Sequence, residues 1–97
     1  MLTTELIIER ALPILLHHGV KRAGLFGSFV HGEANDRSDI DIDMLVELRS
    51  GSSLIELASL QLDLQERFSR KVDLVEYAGL KPMLRASILN DEVRFHG

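Results

Sequence analysis

The chain contains no cysteine. A disulfide framework and a thiolate metal site are therefore excluded. No surplus of positive charge exists either. Eleven basic residues stand against fifteen acidic ones, for a formal charge of −4. Broad nucleic-acid binding usually shows the opposite balance, so a nucleic-acid partner is not expected. No apolar run approaches the roughly 18 residues that a membrane-spanning helix needs. No charged segment followed by an apolar stretch and a cleavage site opens the chain, so a secretory signal is not expected and the cytoplasm is the default compartment. Internal repeats, linkers and low-complexity segments are also missing. With 97 residues and an ordinary apolar fraction of 45%, residues 1–97 read as one domain with a modest core.

One stretch organises what is present. Residues 27–46 read GSFVHGEANDRSDIDIDMLV. Gly27 and Ser28 follow an apolar segment ending in Leu25 and Phe26. A polar turn follows, then strict alternation from Asp39 to Met44. Period-two alternation predicts a half-buried strand, with Ile40, Ile42, Met44 and Val46 facing a core. Asp39, Asp41 and Asp43 would then share the other face, with same-face neighbours roughly 6.6 Å apart. Carboxylates held that close repel, and one pKa should rise unless a cation lies between them. Strands also disfavour Asp. Three Asp on one strand face therefore suggest a metal. Hard divalent ions take oxygen ligands, and Mg²⁺ is usually held by one or two carboxylates plus substrate phosphates. A Gly-Ser pair at a strand-to-helix turn lets backbone N–H groups approach phosphate oxygens. The bland alternative is a solvated strand face after a tight turn.

Gly27-Ser28, Gly32 and Ser38-Asp39-Ile40-Asp41 together resemble the signature of the DNA polymerase beta superfamily of nucleotidyltransferases. The short chain is most similar to the minimal nucleotidyltransferase (MNT) proteins, often the antitoxin half of a pair with a HEPN-domain protein. The likeness continues in Lys71-Val72-Asp73-Leu74-Val75, which carries the third acidic position. It extends to a closing helix between Leu80-Lys81-Pro82 and Ile88-Leu89.

Taken in order, the chain predicts an α/β two-layer fold. Residues 3–18 read as a helix with Thr3 or Thr4 as N-cap, and with Leu6, Ile7, Ala11, Ile14 and Leu15 on one stripe. Pro13 should kink this helix or start a second one. Gly19 should close it in a left-handed conformation. His17 and His18 point about 100° apart and make poor joint metal ligands. Residues 20–26 predict a first strand, 28–31 a short helix and 39–47 a second strand. Lys21 and Arg22 read as solvated charges or as ones facing an acidic partner. Residues 53–69 predict a helix capped by Ser53, with Leu57, Leu60, Leu64 and Phe68 inward, joined by Leu54 and Ala58. Residues 71–76 predict a third strand. A last helix should begin near Pro82, with Leu84, Ile88 and Leu89 inward and Val93 closing the stripe. The resemblance implies that the sheet is mixed, of the polymerase beta palm type.

The resemblance also implies two-metal nucleotidyl transfer. Asp39 and Asp41 match the paired metal ligands and Asp73 the third acid. Gly27 and Ser28 match the phosphate cradle. ATP would be the donor, with Mg²⁺, or Mn²⁺ in its place, as cofactor. Two such ions stabilise the attacking and leaving oxygens of an in-line displacement. The implied acceptor is a hydroxyl, with a tyrosine of a HEPN-type partner the leading candidate and AMP the group transferred. Asp43 departs from the simplest pattern. It lies roughly 13 Å along the strand from Asp39, too far for the same ion, and reads as a salt-bridge or interface residue. Arg37 reads as a solvated turn residue within reach of phosphate. Arg85 could approach a nucleotide from the last helix, and Glu33 and Asp36 have no assigned role. Three other readings compete: a non-catalytic antitoxin that blocks its partner, a transferase acting on a small molecule, and RNA-end modification, which the acidic balance hardly supports. The absence of an acceptor-binding domain fits an obligate partner or a site shared between copies of the chain.

Overall fold

A computed structural model describes residues 3–27 and 41–97. Helix α1 spans Thr4–His17. The Thr3 hydroxyl accepts the Leu6 amide at 3.2 Å, satisfying one of the amides that a helix start leaves unpaired. The helix runs through Pro13 as a single element, so no second helix starts there, the one of the two expected outcomes that the element bounds exclude. The Pro13 ring lies on the exposed side, and proline removes only one backbone donor. Gly19, at φ +70, ends the helix as expected. Its amide bonds the Leu16 carbonyl and the Val20 amide bonds the Leu15 carbonyl, which is a Schellman closure. Val20 thus belongs to the turn and packs in the core beside Leu15.

Strand β1 (Arg22–Phe26) leads to β2 (Ile42–Glu47). Helix α2 (Leu54–Phe68) carries the chain to β3 (Val72–Glu76). A short 3₁₀ turn (Tyr77–Gly79), helix α3 (Pro82–Asp91) and strand β4 (Val93–His96) follow. The sheet order is β3-β2-β1-β4. β1 pairs antiparallel with β2 and with β4, whereas β2 and β3 are parallel. Parallel neighbours need a crossover, and α2 supplies it. The mixed α/β fold expected from the sequence is the one observed.

The core lies between the two long helices and one sheet face. Ile7, Ala11 and Leu15 of α1 and Leu60, Leu64 and Phe68 of α2 meet Ala23, Leu25, Ile42, Met44, Val46 and Val72. Each strand contributes alternate residues, as a half-buried sheet requires. Leu45 is also fully buried, on the opposite face of β2, across from Gly24 of β1.

Three expectations on apolar stripes need correction. Leu54 is 80% exposed and Ala58 is exposed, so the buried stripe of α2 begins only at Leu57. No residue of α3 is fully buried; Leu84 is 53% exposed, and Ile88 and Leu89 are its only half-buried apolar residues. Val93 belongs to β4, not to a helical stripe. That strand escaped the sequence reading because Val93-Arg94-Phe95-His96, though alternating, is only four residues long and Val93 also continued the spacing of the preceding helical stripe. It is an edge strand, and charged side chains suit an edge.

Candidate functional site

The polar residues of the sheet gather on the face away from α1 and α2. Phe26 pairs with Asp43 across β1 and β2, and Asp43 pairs with Asp73 across β2 and β3. One cross-strand rung therefore carries two carboxylates. Asp41 lies two residues earlier than Asp43, at the mouth of β2. Gly27 follows directly from β1 and takes φ +79, a backbone state that residues with a Cβ rarely adopt. A Cβ built there would collide with the Asp43 carboxylate. The turn leaving β1 thus rests on Asp43 by bare backbone.

The start of β3 is fixed by α2. Gln61 Nε2 donates to the Val72 carbonyl at 2.8 Å, and Gln65 Oε1 accepts the Val72 amide at 3.2 Å. The Ile42 amide reaches the Lys71 carbonyl at 3.0 Å. These bonds hold β3 in a register that brings Asp73 beside Asp43. Lys71 Nζ stands 3.6 Å from Asp73 Oδ1 and 4.0 Å from Asp41 Oδ2. All three side chains are substantially exposed, so the pairs contribute little stability. Their effect is to place one positive charge among several negative ones.

Asp43 is the most perturbed of these acids. Burial pushes its carboxyl above the usual carboxylate range, and the charges of Asp73 and Asp41 push the same way. Lys71 opposes them without cancelling them. Among the described residues, however, no three His, Asp or Glu side chains converge closely enough to hold a metal as they stand.

Of the residues singled out in the sequence, Gly27, Asp41 and Asp73 meet at this end of the sheet. Ser28, Asp39, Arg37, Glu33, Asp36 and the short helix expected over 28–31 lie outside the described residues. Asp43, read from sequence as a remote salt-bridge residue, stands instead in the middle of the cluster. The signal was latent: the run contains two overlapping Asp-x-Asp pairs, and only cross-strand register tells them apart. Arg85 does not join the site. Its Nη1 donates to the Tyr77 carbonyl at 3.1 Å, and it lines a cavity of ≈ 370 Å³ with Arg22, Glu47, Arg49 and Tyr77. That cavity lies at the other end of the sheet, where Arg22 pairs with Glu47 at 3.0 Å and stacks 4.1 Å over the Tyr77 ring. Arg22 thus has the acidic partner, not the solvated role. His18 Nε2 meets Asp63 Oδ2 at 2.7 Å and ties α1 to α2.

The chain and its fold resemble known proteins. A family described as "Polymerase beta, Nucleotidyltransferase" matches residues 9–96. A Methanocaldococcus jannaschii protein, provisionally named protein adenylyltransferase MJ0435, is 45% identical over 87 residues, covering 90% of this chain and 91% of that one. The protein adenylyltransferase MntA of Thermococcus cleftensis is 37% identical over 75 residues, 77% of this chain and 74% of its own. A chain in the solved structure of a tri-AMPylated Shewanella oneidensis HEPN toxin with its MNT antitoxin superposes with a TM-score of 0.67. It covers 96% of this chain and 72% of that one at 21% identity, a likeness of fold. Among the described residues, no helix is long and apolar enough to cross a membrane.

Proposed function

The chain belongs to the polymerase beta nucleotidyltransferase family, and from that premise we propose that it moves AMP from ATP to a hydroxyl of a partner protein. A tyrosine of a HEPN-type toxin is the proposed acceptor, which makes the chain an antitoxin that works by modification. Two relatives bearing the name protein adenylyltransferase support the reaction class. The fold shared with a complex that holds an AMPylated HEPN toxin supports the partner class. The observation that carries the proposal is the joining of a bare-backbone turn at Gly27 to a carboxylate rung on adjacent strands.

The residues present fit a hard divalent cation. All the donors are oxygens, and burial with mutual repulsion leaves Asp43 short of positive charge. Asp73 and carboxylates of the run 39–43, with Asp39 and Asp41 as the pair expected from the motif, would hold Mg²⁺ or Mn²⁺ as two ions. Such ions supply charge neutralisation on the triphosphate and a lower pKa for the acceptor hydroxyl. The chain's own residues bind and orient. Gly27, with Ser28 after it, offers backbone and hydroxyl donors to the β- and γ-phosphates. The acceptor oxygen attacks the α-phosphorus, the bond to the β-phosphate bridging oxygen breaks, and pyrophosphate leaves. The phenol proton passes to solvent or to a neighbouring carboxylate. A phenol has a pKa near 10, so its ionisation needs help at neutral pH. Holding acceptor and donor in line supplies much of the rate.

The test mixes this protein, ATP, Mg²⁺ and its co-purifying HEPN-type partner and measures the partner's mass. One or more added AMP units, absent with Asp73→Asn, is the expected result. A partner that is silenced while its mass stays unchanged would overturn the proposal in favour of blocking by binding.

A further inference from the structure

We propose that the cavity at the far end of the sheet is a docking site for an acidic side chain of the partner protein. The inference rests on the reading that a protein is the acceptor, and it specifies how that protein is held.

The cavity has a volume of ≈ 370 Å³, at the low end for small-ligand pockets. A single carboxylate-bearing side chain fits it. Its charged lining is Arg22, Arg49 and Arg85 against Glu47 and Glu76. That is a local surplus of cations on a chain whose formal charge is −4. All three cations are guanidinium groups, whose planar fork matches a carboxylate in two parallel hydrogen bonds.

The three are held in place without being used up. Arg22 Nε lies 3.0 Å from Glu47 Oε1, yet it is buried and makes no aligned hydrogen bond. Buried donors rarely go without an acceptor. The Arg22 guanidinium stacks 4.1 Å over the Tyr77 ring. Tyr77 is itself buried and bonded to Glu92, whose carboxylate enters where Gly24 has no side chain. Arg22 is thus fixed before any ligand arrives, which lowers the ordering cost of binding. Arg85 spends Nη1 on the Tyr77 carbonyl, and among the described residues no carboxylate pairs with it. Arg49 Nη2 stands 3.8 Å from Glu56 Oε2 with its side chain 66% exposed. So loose a pair contributes little and is cheaply exchanged.

Spacing points to a protein segment and not to a free anion. Arg22 pairs with Glu47 and Phe26 with Asp43, so the cavity and the carboxylate rung share one sheet face four residues apart. That is roughly 13 Å, beyond the Debye length of about 8 Å at physiological salt. The carboxylates of the rung therefore hardly repel an acid seated in the cavity. An extended segment spans the same distance in about four residues. An acceptor hydroxyl at the Asp43–Asp73 end and an acidic residue about four positions away would meet both ends together. A free anion gains nothing from this match.

The experiment follows backbone amides of the intact chain by NMR during titration with hexaglutamate, hexaglutamine and inorganic pyrophosphate. Hexaglutamate should shift Gly51, Ser52 and Ala78, which line the cavity; hexaglutamine should not. Calorimetry then reads affinity for the co-purifying partner with no nucleotide present. Losing a hydrogen bond to a charged group costs about tenfold or more. Arg85→Gln and Arg49→Gln/Arg85→Gln should each weaken partner binding by that much, and Arg85→Lys should recover part of it. Circular dichroism checks that each variant is folded. Shifts with pyrophosphate and none with hexaglutamate overturn the assignment, because the cavity then takes a free anion. So does parent-like partner affinity in the double variant. A partner that binds through the cavity yet gains no AMP leaves this inference standing and overturns the transfer reaction alone.

Discussion

Gly27→Ala is the substitution that tests the site geometry most directly. Gly27 sits at φ +79, where an L-residue with a Cβ is strained by roughly 1–2 kcal/mol. For a chain of about 100 residues each kcal/mol moves the melting temperature by about 4–8 °C. The backbone term alone should therefore lower it by about 5–15 °C. That loss leaves the chain folded, because domains of this kind are stable by about 5–15 kcal/mol. The second effect is local. The new methyl would occupy the space of the Asp43 carboxylate, so that side chain must rotate away. Thermal melting reads the first effect, and titration with Mg²⁺ and ATP reads the second. Gly27→Asn separates them, because Asn tolerates the left-handed region better than Ala. It should recover part of the melting temperature and none of the nucleotide affinity. Gly27→Val should likewise lose nucleotide while remaining folded. If Gly27→Ala melts as the parent does and binds ATP normally, the turn neither has this backbone state nor faces the phosphates.

Two further outcomes follow from positions outside the site. The Tyr77 phenol is pushed up to about 12, first by burial and then by its hydrogen bond to Glu92 and that carboxylate's charge, with Arg94 opposing. Its folded pKa exceeds the unfolded value near 10, so this contribution to stability is complete below about pH 10 and fades as pH rises toward 12; the chain has a single tyrosine and no tryptophan, so phenolate absorbance follows it cleanly, and ionisation near pH 10 in folded protein would refute the assignment. Ser69 closes α2 at φ 53, so Ser69→Gly should stabilise by up to about 1 kcal/mol in urea denaturation, and a lower midpoint would show that the serine side chain contributes there.

Much of this structure was legible because local rules and packing agree in it. Thr3, Ser53, Gly19 and Pro82 mark helix ends through backbone chemistry that needs no tertiary partner. Ile42, Met44 and Val46 face the core because alternation leaves them no other choice once one face is covered. What was hidden depends on neighbours that a single sequence does not display. β4 exists because β1 offers it an edge, not because its own residues demand extension. The stripe on α3 is apolar without being buried, and periodicity reports pattern rather than cover. Pro13 lies inside α1 without starting a second helix, on its exposed side. Within the site, the turn at Gly27 and the acids Asp41 and Asp73 were readable as types at a spacing. The central place of Asp43 was not, since it follows from β2–β3 register alone.

That register has a consequence for how the chain reaches its native state. Asp43 and Asp73 stand thirty residues apart in sequence and become neighbours only through the α2 crossover. In the unfolded chain their charges hardly meet, so their repulsion burdens the native state and scarcely the ensemble it competes with. Parallel pairing closes late, after the crossover helix has formed and loop entropy has been spent. The acidic rung is thus an opposing force at the last stage of assembly, offset by Val72, Ile42 and the two glutamines of α2. Unfolding should slow as ionic strength rises, because contacts completed late act on the unfolding rate, and the carboxylate pair is kept against the folding preference of the strands that carry it.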